Sequence, residues 1–349
     1  MRTLLGKKLR IVAMPQKPFG KNVRIQDWRA VLAMDGSVCL RDVLSSGIRI
    51  RECGSEEVTQ LGLQTGTLSD SSRSLLFEIE LNRDILASYL HHTRKLIEKQ
   101  SSEPAVRKDR ELRGVVFAGE LSRAFKHKVL MLIIAAHVAD PRNLSLNSIF
   151  SDDFQGRFGT ETFSMPFIPD PRAVELDLKS HGAHEVFRFI EDGPHDTADV
   201  PTCQLMKGLT YLSHTFRTPF AGEALTSFVW ALAAIEAMLS THADKANVTM
   251  LEMRLKALLG DSFTDVLSGR FREIYKYRNA LLHGNVSLPF SFDSRSVFGY
   301  RGVKNSNTMP FEFSQFTYGL ALKIMQRFFE LGSYDIGYRL DVATKPSQN

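Results

Sequence analysis

Between Glu223 and Ser240 the chain reads EALTSFVWALAAIEAMLS, a strongly apolar stretch with helical periodicity whose single interior acid is Glu236. A carboxylate in so apolar a setting needs a partner, because an unpaired buried charge costs several kcal/mol. The C-terminal part of the chain must therefore fold as packed helices that bring a cation to Glu236. Arg278 is the obvious candidate.

Arg278 lies in FREIYKYRNALLHGN, Phe271 to Asn285. Apolar residues at Phe271, Ile274, Tyr275, Leu281 and Leu282 mark this segment as a helix. Gly284 occupies the position that commonly takes the left-handed turn after the last helical residue. The spacing puts Arg278, Asn279 and His283 on the last turns of one helix. Histidine can both take and give a proton near neutrality, and arginine keeps a permanent charge with forked donors. Between the two segments a helix is expected at Thr249–Leu259 (TMLEMRLKALL), closed by Gly260 and Asp261.

The AIEAML helix followed by IYKYRNALLHG resembles the HEPN superfamily, and most closely its ApeA-like branch. Members of that branch end the functional helix in Arg, often Asn, a few variable residues, then His and Gly. The resemblance covers about residues 205–331. It implies an all-α bundle that commonly dimerises, with Arg and His of two protomers facing one cleft. It also implies metal-independent RNA cleavage, in phage defence or as a toxin. Nothing before about residue 200 is covered.

In that reading the substrate's own 2′-hydroxyl attacks the adjacent phosphorus, which selects RNA over DNA. His283 serves as general base or acid, and Arg278 stabilises the charge that develops on the transferring phosphate. Asn279 orients the imidazole or donates to phosphate, and Glu236 holds Arg278. Arg270, Arg272 and Lys276 precede the motif on the same helix and are expected to contact the RNA backbone. Tyr275 and Tyr277 read first as packing residues, with contact to a base or phosphate as a second role. Each assignment has a plainer counterpart. Arg278 and Glu236 also read as a core ion pair, His283 as a capping side chain, and the basic residues as a solvated face. The alternative function is accordingly a non-catalytic HEPN module that binds RNA or a partner protein, or serves only for dimerisation.

Arg278 and His283 are five positions apart, so they project roughly 140° apart around one helix and do not converge on one phosphate. A homodimer with a composite site resolves this, with the apolar face around Phe228, Trp230 and Leu282 at or behind the interface. An active ribonuclease harms its own cell. Restraint by a regulatory partner, a phage-derived trigger or the N-terminal region is expected.

The remainder is bounded more loosely. A chain of 349 residues with 43% hydrophobic and 24% charged residues is globular material long enough for two domains. Its three cysteines, Cys39, Cys53 and Cys203, have no metal-type spacing and cannot all be paired, which fits a reducing cytoplasm. His181 and His184 resemble half a metal site but read as loop histidines, so no metal and no cofactor is expected. No GxGxxG, P-loop or GxSxG motif occurs. The longest apolar run, VLMLIIAA at Val129–Ala136, is far short of the ~20 residues of a membrane span and reads as a buried helix. The first 29 residues carry eight Lys or Arg and one acid, a basic strand-and-turn region or a nucleic-acid-facing arm, with no apolar core for a secretion signal.

The expected fold class is α+β, with a β-rich N-terminal region followed by an all-α HEPN-type bundle. Residues 1–200 form an α/β region of unassigned role: β-rich over 1–82, helical over 83–139 and irregular over 140–200, with short strands or one brief helix in the last part. The strand candidates are IVAM, RIQDWRAVLAM, GSVCLRDVL and SLLFEIEL. The bundle spans 205–335, entered through the turn-forming DGPHDTADVPTC. It begins with LMKGLTYLSHTFRTPF and ends in a helix over Phe313–Leu331, after a long loop at 286–310.

Overall fold

The structure, a computed structural model, describes residues 4–15, 48–61, 63, 74–87, 110–141, 146–152, 158–161, 176–194, 202–217, 224–240, 247–285 and 311–338. The chain divides into two compact units. One comprises Met1–Asp170, Lys179–Glu191 and Thr215–Gly222, and the other Pro171–Leu178, Asp192–His214 and Glu223–Asn349. The fold is mixed α+β, with the described strands in the first unit.

The first unit is organised by a five-stranded sheet: β1 (Lys8–Pro15), β2 (Ile48–Cys53), β3 (Ser74–Glu80), β4 (Leu146–Asp152) and β5 (Phe158–Glu161), in the order β2-β3-β1-β4-β5. Every pairing is antiparallel. β1 is central, and it buries Leu9, Ile11, Val12 and Ala13 with both faces covered. On one face Val12, Cys53 and Leu76 meet Val58 of the short helix α1 (Ser55–Gln60) and Leu63. Toward its far end that face turns charged. Arg10 there gives two hydrogen bonds to the buried Asp152 across the β1–β4 ladder, at 3.0 and 2.8 Å. The long helix α2 (Arg110–Ala139) packs on β1 and carries a buried row at Phe117, Leu121, Phe125 and Val129. Helix α3 (Ala183–Glu191) buries Val186, Phe187 and Ile190 beside it, and Lys128 bonds Glu191.

IVAM and SLLFEIEL lie in β1 and β3, whereas RIQDWRAVLAM and GSVCLRDVL lie outside the described residues. The strand β2, IRIREC, was not singled out, although Ile48 and Ile50 alternate with Arg49 and Arg51. Over 140–200, expected to be irregular with short strands or one brief helix, the described residues hold two strands and one helix. β4 and β5 extend the same sheet beyond β1, and α3 follows. Their segments, LNSIFSD and FGTE, have little apolar alternation of their own. Pairing of β4 with β1, and of β5 with β4, supplies what local pattern does not. Of the helical reading over 83–139, residues 83–87 and α2 are described and helical. VLMLIIAA falls within α2, where Val129 and Leu132 to Ala136 are buried.

The second unit is helical: α4 (Gln204–Arg217, in this unit as far as His214), α5 (Ala224–Leu239), α6 (Val248–Leu259), α7 (Asp265–Leu282) and α8 (Phe311–Leu331), with a 3₁₀ turn at Gly260–Ser262 between α6 and α7. α5 is the apolar stretch, with Phe228, Ala231, Leu232, Ala234, Ile235, Met238 and Leu239 buried, and its main neighbour is α8. Capping follows side-chain chemistry. Asn247 accepts from the Met250 N–H to start α6, and Thr264 accepts from the Leu267 N–H to start α7. Past α8 the chain returns to the start of α4. Asp335 accepts from the Gln204 N–H at 2.8 Å, and the Gln204 side chain accepts from the Ile336 N–H and donates to the carbonyl of Ser240. Residues 286–310 lie outside the described residues.

α4 approaches α5 closely at Gly208. A Cβ there would stand 2.3 Å from Cγ of the buried Met238 and 3.2 Å from the Ala234 carbonyl oxygen. Gly208→Ala should thus destabilise the protein by about 1–2 kcal/mol, overpacking of ~1–3 kcal/mol outweighing the ~1 kcal/mol that alanine gains in helix propensity. Urea denaturation checks this, and a Gly208→Ala, Met238→Ala double variant should lose less than the sum of the two single losses.

Candidate functional site

α7 is long enough to show two faces with different chemistry. Leu267, Ser268, Phe271, Ile274 and Tyr275 are buried, whereas Arg272, Lys276, Asn279 and His283 are exposed. At 100° per residue the last four fall within about 60° of one another, a solvent-facing stripe along the helix. Arg278 is on neither. It projects about 140° away from His283, toward α5.

There the Arg278 guanidinium lies 3.3 Å from the Glu236 carboxylate. The Tyr275 hydroxyl donates to the same carboxylate oxygen at 2.8 Å. Arg278 also lies over the Tyr275 ring, 6.0 Å from its centroid, and donates to Oδ1 of Asn279 at 3.2 Å. The side chains of Arg278 and Glu236 remain 34% and 25% exposed, so the pair is joined inside the fold yet open to solvent on one side. Burial first, and the neighbouring carboxylate next, push the Tyr275 phenol far above its ordinary value. It is therefore a fixed neutral donor at any working pH.

His283 caps α7. Its N–H bonds the Asn279 carbonyl, Gly284 takes φ +70°, and the Gly284 and Asn285 N–H groups bond the carbonyls of Leu281 and Ala280. This pair of bonds closes the helix in a Schellman turn and leaves the imidazole exposed at the end of the stripe. The backbone thus accounts for Gly284, since a Cβ is disfavoured at positive φ. Within one chain Arg278 and His283 belong to different faces.

The other expected contacts need sorting. Arg270 packs over Phe316, 5.2 Å from the ring centroid, and pairs with Glu312 at 3.5 Å, which ties α7 to α8. Arg272 makes two 2.7 Å hydrogen bonds to Glu252 of α6, with Ser268 donating to the same carboxylate. Tyr275 is only 4% exposed and offers no ring face to a base, a correction imposed by its bond to Glu236. Tyr277 sits edge-on between Phe228 and Phe313, where burial raises its phenol. Its ring too is used in packing. Lys276 is exposed. Phe228 is fully buried behind Tyr277, Trp230 is half-buried, and Leu282 is 63% exposed. Of these three, Leu282 is the open apolar side chain.

Two features escaped sequence reasoning. Glu252 sits among the buried leucines 251, 255, 258 and 259 of α6, the same pattern that made Glu236 conspicuous, yet Arg272 was read as facing solvent. The other is a cluster of aromatic rings on α4 and α5. Among the described residues, no three His, Cys, Asp or Glu side chains are grouped so as to hold a metal ion, and no helix is long and apolar enough to cross a membrane. No family model, curated protein or solved structure matches the chain.

The Arg272 hydrogen bonds hold the Glu252 carboxyl below the usual range, against the opposing effect of burial. A carboxyl lowered in the folded state contributes stability that is complete above its unfolded value, about 4.3, and lost as pH falls through the folded value. Thermal melts between pH 7 and 3 should show Glu252→Gln with a shallower acid decline than the wild type. Tyr275→Phe should cost about 1 kcal/mol of stability through the lost bond to Glu236, an effect that should shrink in a Glu236→Ala background, where no side-chain acceptor remains.

Proposed function

We propose that this chain is a metal-independent endoribonuclease of HEPN type, acting as a homodimer in phage defence or as a toxin. The observation that carries the proposal is the Glu236–Arg278 pair, braced by Tyr275 and open to solvent, on the helix that ends in an exposed His283. The carboxylate fixes where the guanidinium points, and a positioned, partly exposed cation suits a phosphate whose charge grows in the transition state. His283, free of packing duties, is suited to proton transfer.

In the proposed reaction the 2′-hydroxyl of the RNA attacks the adjacent phosphorus and gives up its proton to a general base. The bond to the 5′-oxygen breaks, and that oxygen leaves with a proton from a general acid. The products carry a 2′,3′-cyclic phosphate and a 5′-hydroxyl. His283 fills one of these proton-transfer roles and Arg278 stabilises the phosphorane-like charge. Asn279 steers the guanidinium through its 3.2 Å contact, in place of the imidazole-orienting role expected for it. Because Arg278 and His283 diverge around α7, each site takes Arg278 from one protomer and His283 from its partner. Lys276 and the outward part of Arg272 lie on the same stripe as His283 and contact the RNA backbone.

The divergence of these two side chains equally favours a second reading, in which the module binds RNA or a partner without cutting. The two readings separate on product chemistry. Arg278→Ala and His283→Ala should each reduce RNA cleavage by at least 100-fold, His283→Ala with little change in melting temperature and Arg278→Ala with a lowered one because it strands the Glu236 carboxylate, and cleavage should persist in chelator. Mixing the two inactive variants should restore part of the activity. Bound but uncut RNA in the wild type sinks the ribonuclease reading, and full activity in a monomer sinks the composite site.

A further inference from the structure

α4 and α5 meet in a group of stacked rings. Trp230 of α5 lies near-parallel to His214, with centroids 4.6 Å apart and planes at 27°. It also lies near-parallel to Tyr211, 6.2 Å apart at 23°. Tyr211 and His214 are three positions apart on α4, which places their Cβ atoms about 5–6 Å from each other on one side of that helix. Rings so rooted lie side by side along the indole, and the indole is itself only half-buried. Tyr211 is 40% exposed, Val229 43%, and His214 is exposed as well. Buried core does not look like this. Rings exposed together keep their faces in reach of a flat partner.

The charges around the rings select the partner. α4, QLMKGLTYLSHTFR, has no acidic residue, and Lys207 stands one turn before Tyr211 on the same stripe as Tyr211 and His214. α5 has one acid, Glu236, already paired with Arg278. Trp230 and Glu236 are six positions apart, about 9 Å along the axis. Ala233, half-buried, lies between their directions on the open arc of the helix, so no large or acidic side chain of α5 intervenes. Exposed stacked rings with Lys207 on their stripe and no acidic residue on α4 complement a single-stranded nucleic acid, whose bases have flat faces and whose backbone is anionic.

We propose that Tyr211, His214 and Trp230 form a base-stacking platform for single-stranded RNA, with Lys207 on the backbone, beside the Arg278 end of the site. This rests on the RNA reading above and extends it by assigning where unreacting nucleotides are held. Stacking tolerates any base, so the platform supplies affinity with little sequence preference.

The chain has two tryptophans, Trp28 and Trp230, so fluorescence can read the platform directly. The full chain is titrated with a 2′-O-methyl oligoribonucleotide, which lacks the attacking hydroxyl and stays intact, and with an abasic strand of the same length. The expected result is quenching by the base-bearing strand and much less by the abasic one, retained in Trp28→Phe and lost in Trp230→Phe. Tyr211→Ala and His214→Ala should each weaken binding about tenfold, and Lys207→Ala should lower the salt slope by about one. Circular dichroism confirms folding, and because Trp230→Phe keeps an aromatic ring, it serves where the alanine variants unfold. Equal quenching by the abasic strand, quenching unchanged by Trp230→Phe, or a signal that follows protein concentration instead of oligonucleotide overturns the platform. RNA cleavage without quenching removes the platform and leaves the ribonuclease reading intact; quenching without RNA cleavage does the reverse.

Discussion

The carboxylate of Glu236 is the constraint around which the helical unit is arranged. α5 is so apolar that it must be enclosed, and enclosure would leave a charge stranded unless another helix answers it. α7 does so twice, with the Tyr275 hydroxyl and the Arg278 guanidinium. Those two contacts set both the rotation and the register of α7 against α5, because residues three apart on one side of α7 must reach one carboxylate. Once that face is committed, the opposite stripe of Arg272, Lys276, Asn279 and His283 has to face outward. The exposure of His283 follows from the bond at Glu236, although the two lie on different sides of the helix.

A second carboxylate, Glu252, repeats this logic on α6. It joins α6 to α7 through Arg272 and Ser268. Three acids divide α7's arginines: Arg278 goes to Glu236, Arg272 to Glu252, and Arg270 to Glu312 and over Phe316. Much of what looks like a basic helix is thereby neutralised within the fold. Lys276 and the partly open Arg278 keep the charge that a phosphate would meet. In the first unit the Arg10–Asp152 pair plays a comparable part, joining β1 to β4 where the sheet face is no longer apolar.

The helices of the second unit were legible because their signals are local. Apolar periodicity and Gly284 at a C-terminus each act within a turn or two of the chain. A partner for Glu236 was legible for an energetic reason, since a lone acid in an apolar helix demands one. β2, β4 and β5 were not, because IRIREC, LNSIFSD and FGTE become strands through pairing with β3, β1 and β4, and the partners of β2 and β4 lie tens of residues away in the chain.

What the residues alone determined is the inventory and the demand: an acid requiring a cation, an arginine and a histidine near one helix end, and a glycine to turn the chain after it. Which cation serves which acid was settled by tertiary packing, as was the withdrawal of Arg270, Arg272 and Tyr275 into contacts between helices. The aromatic cluster of Tyr211, His214 and Trp230 is likewise a product of packing, made where Gly208 lets α4 close on α5. The reason is one of range. Caps, turns and amphipathic faces are written in neighbouring residues, whereas the choice among several competing ion pairs and ring contacts depends on helix rotation, which only the assembled core can fix.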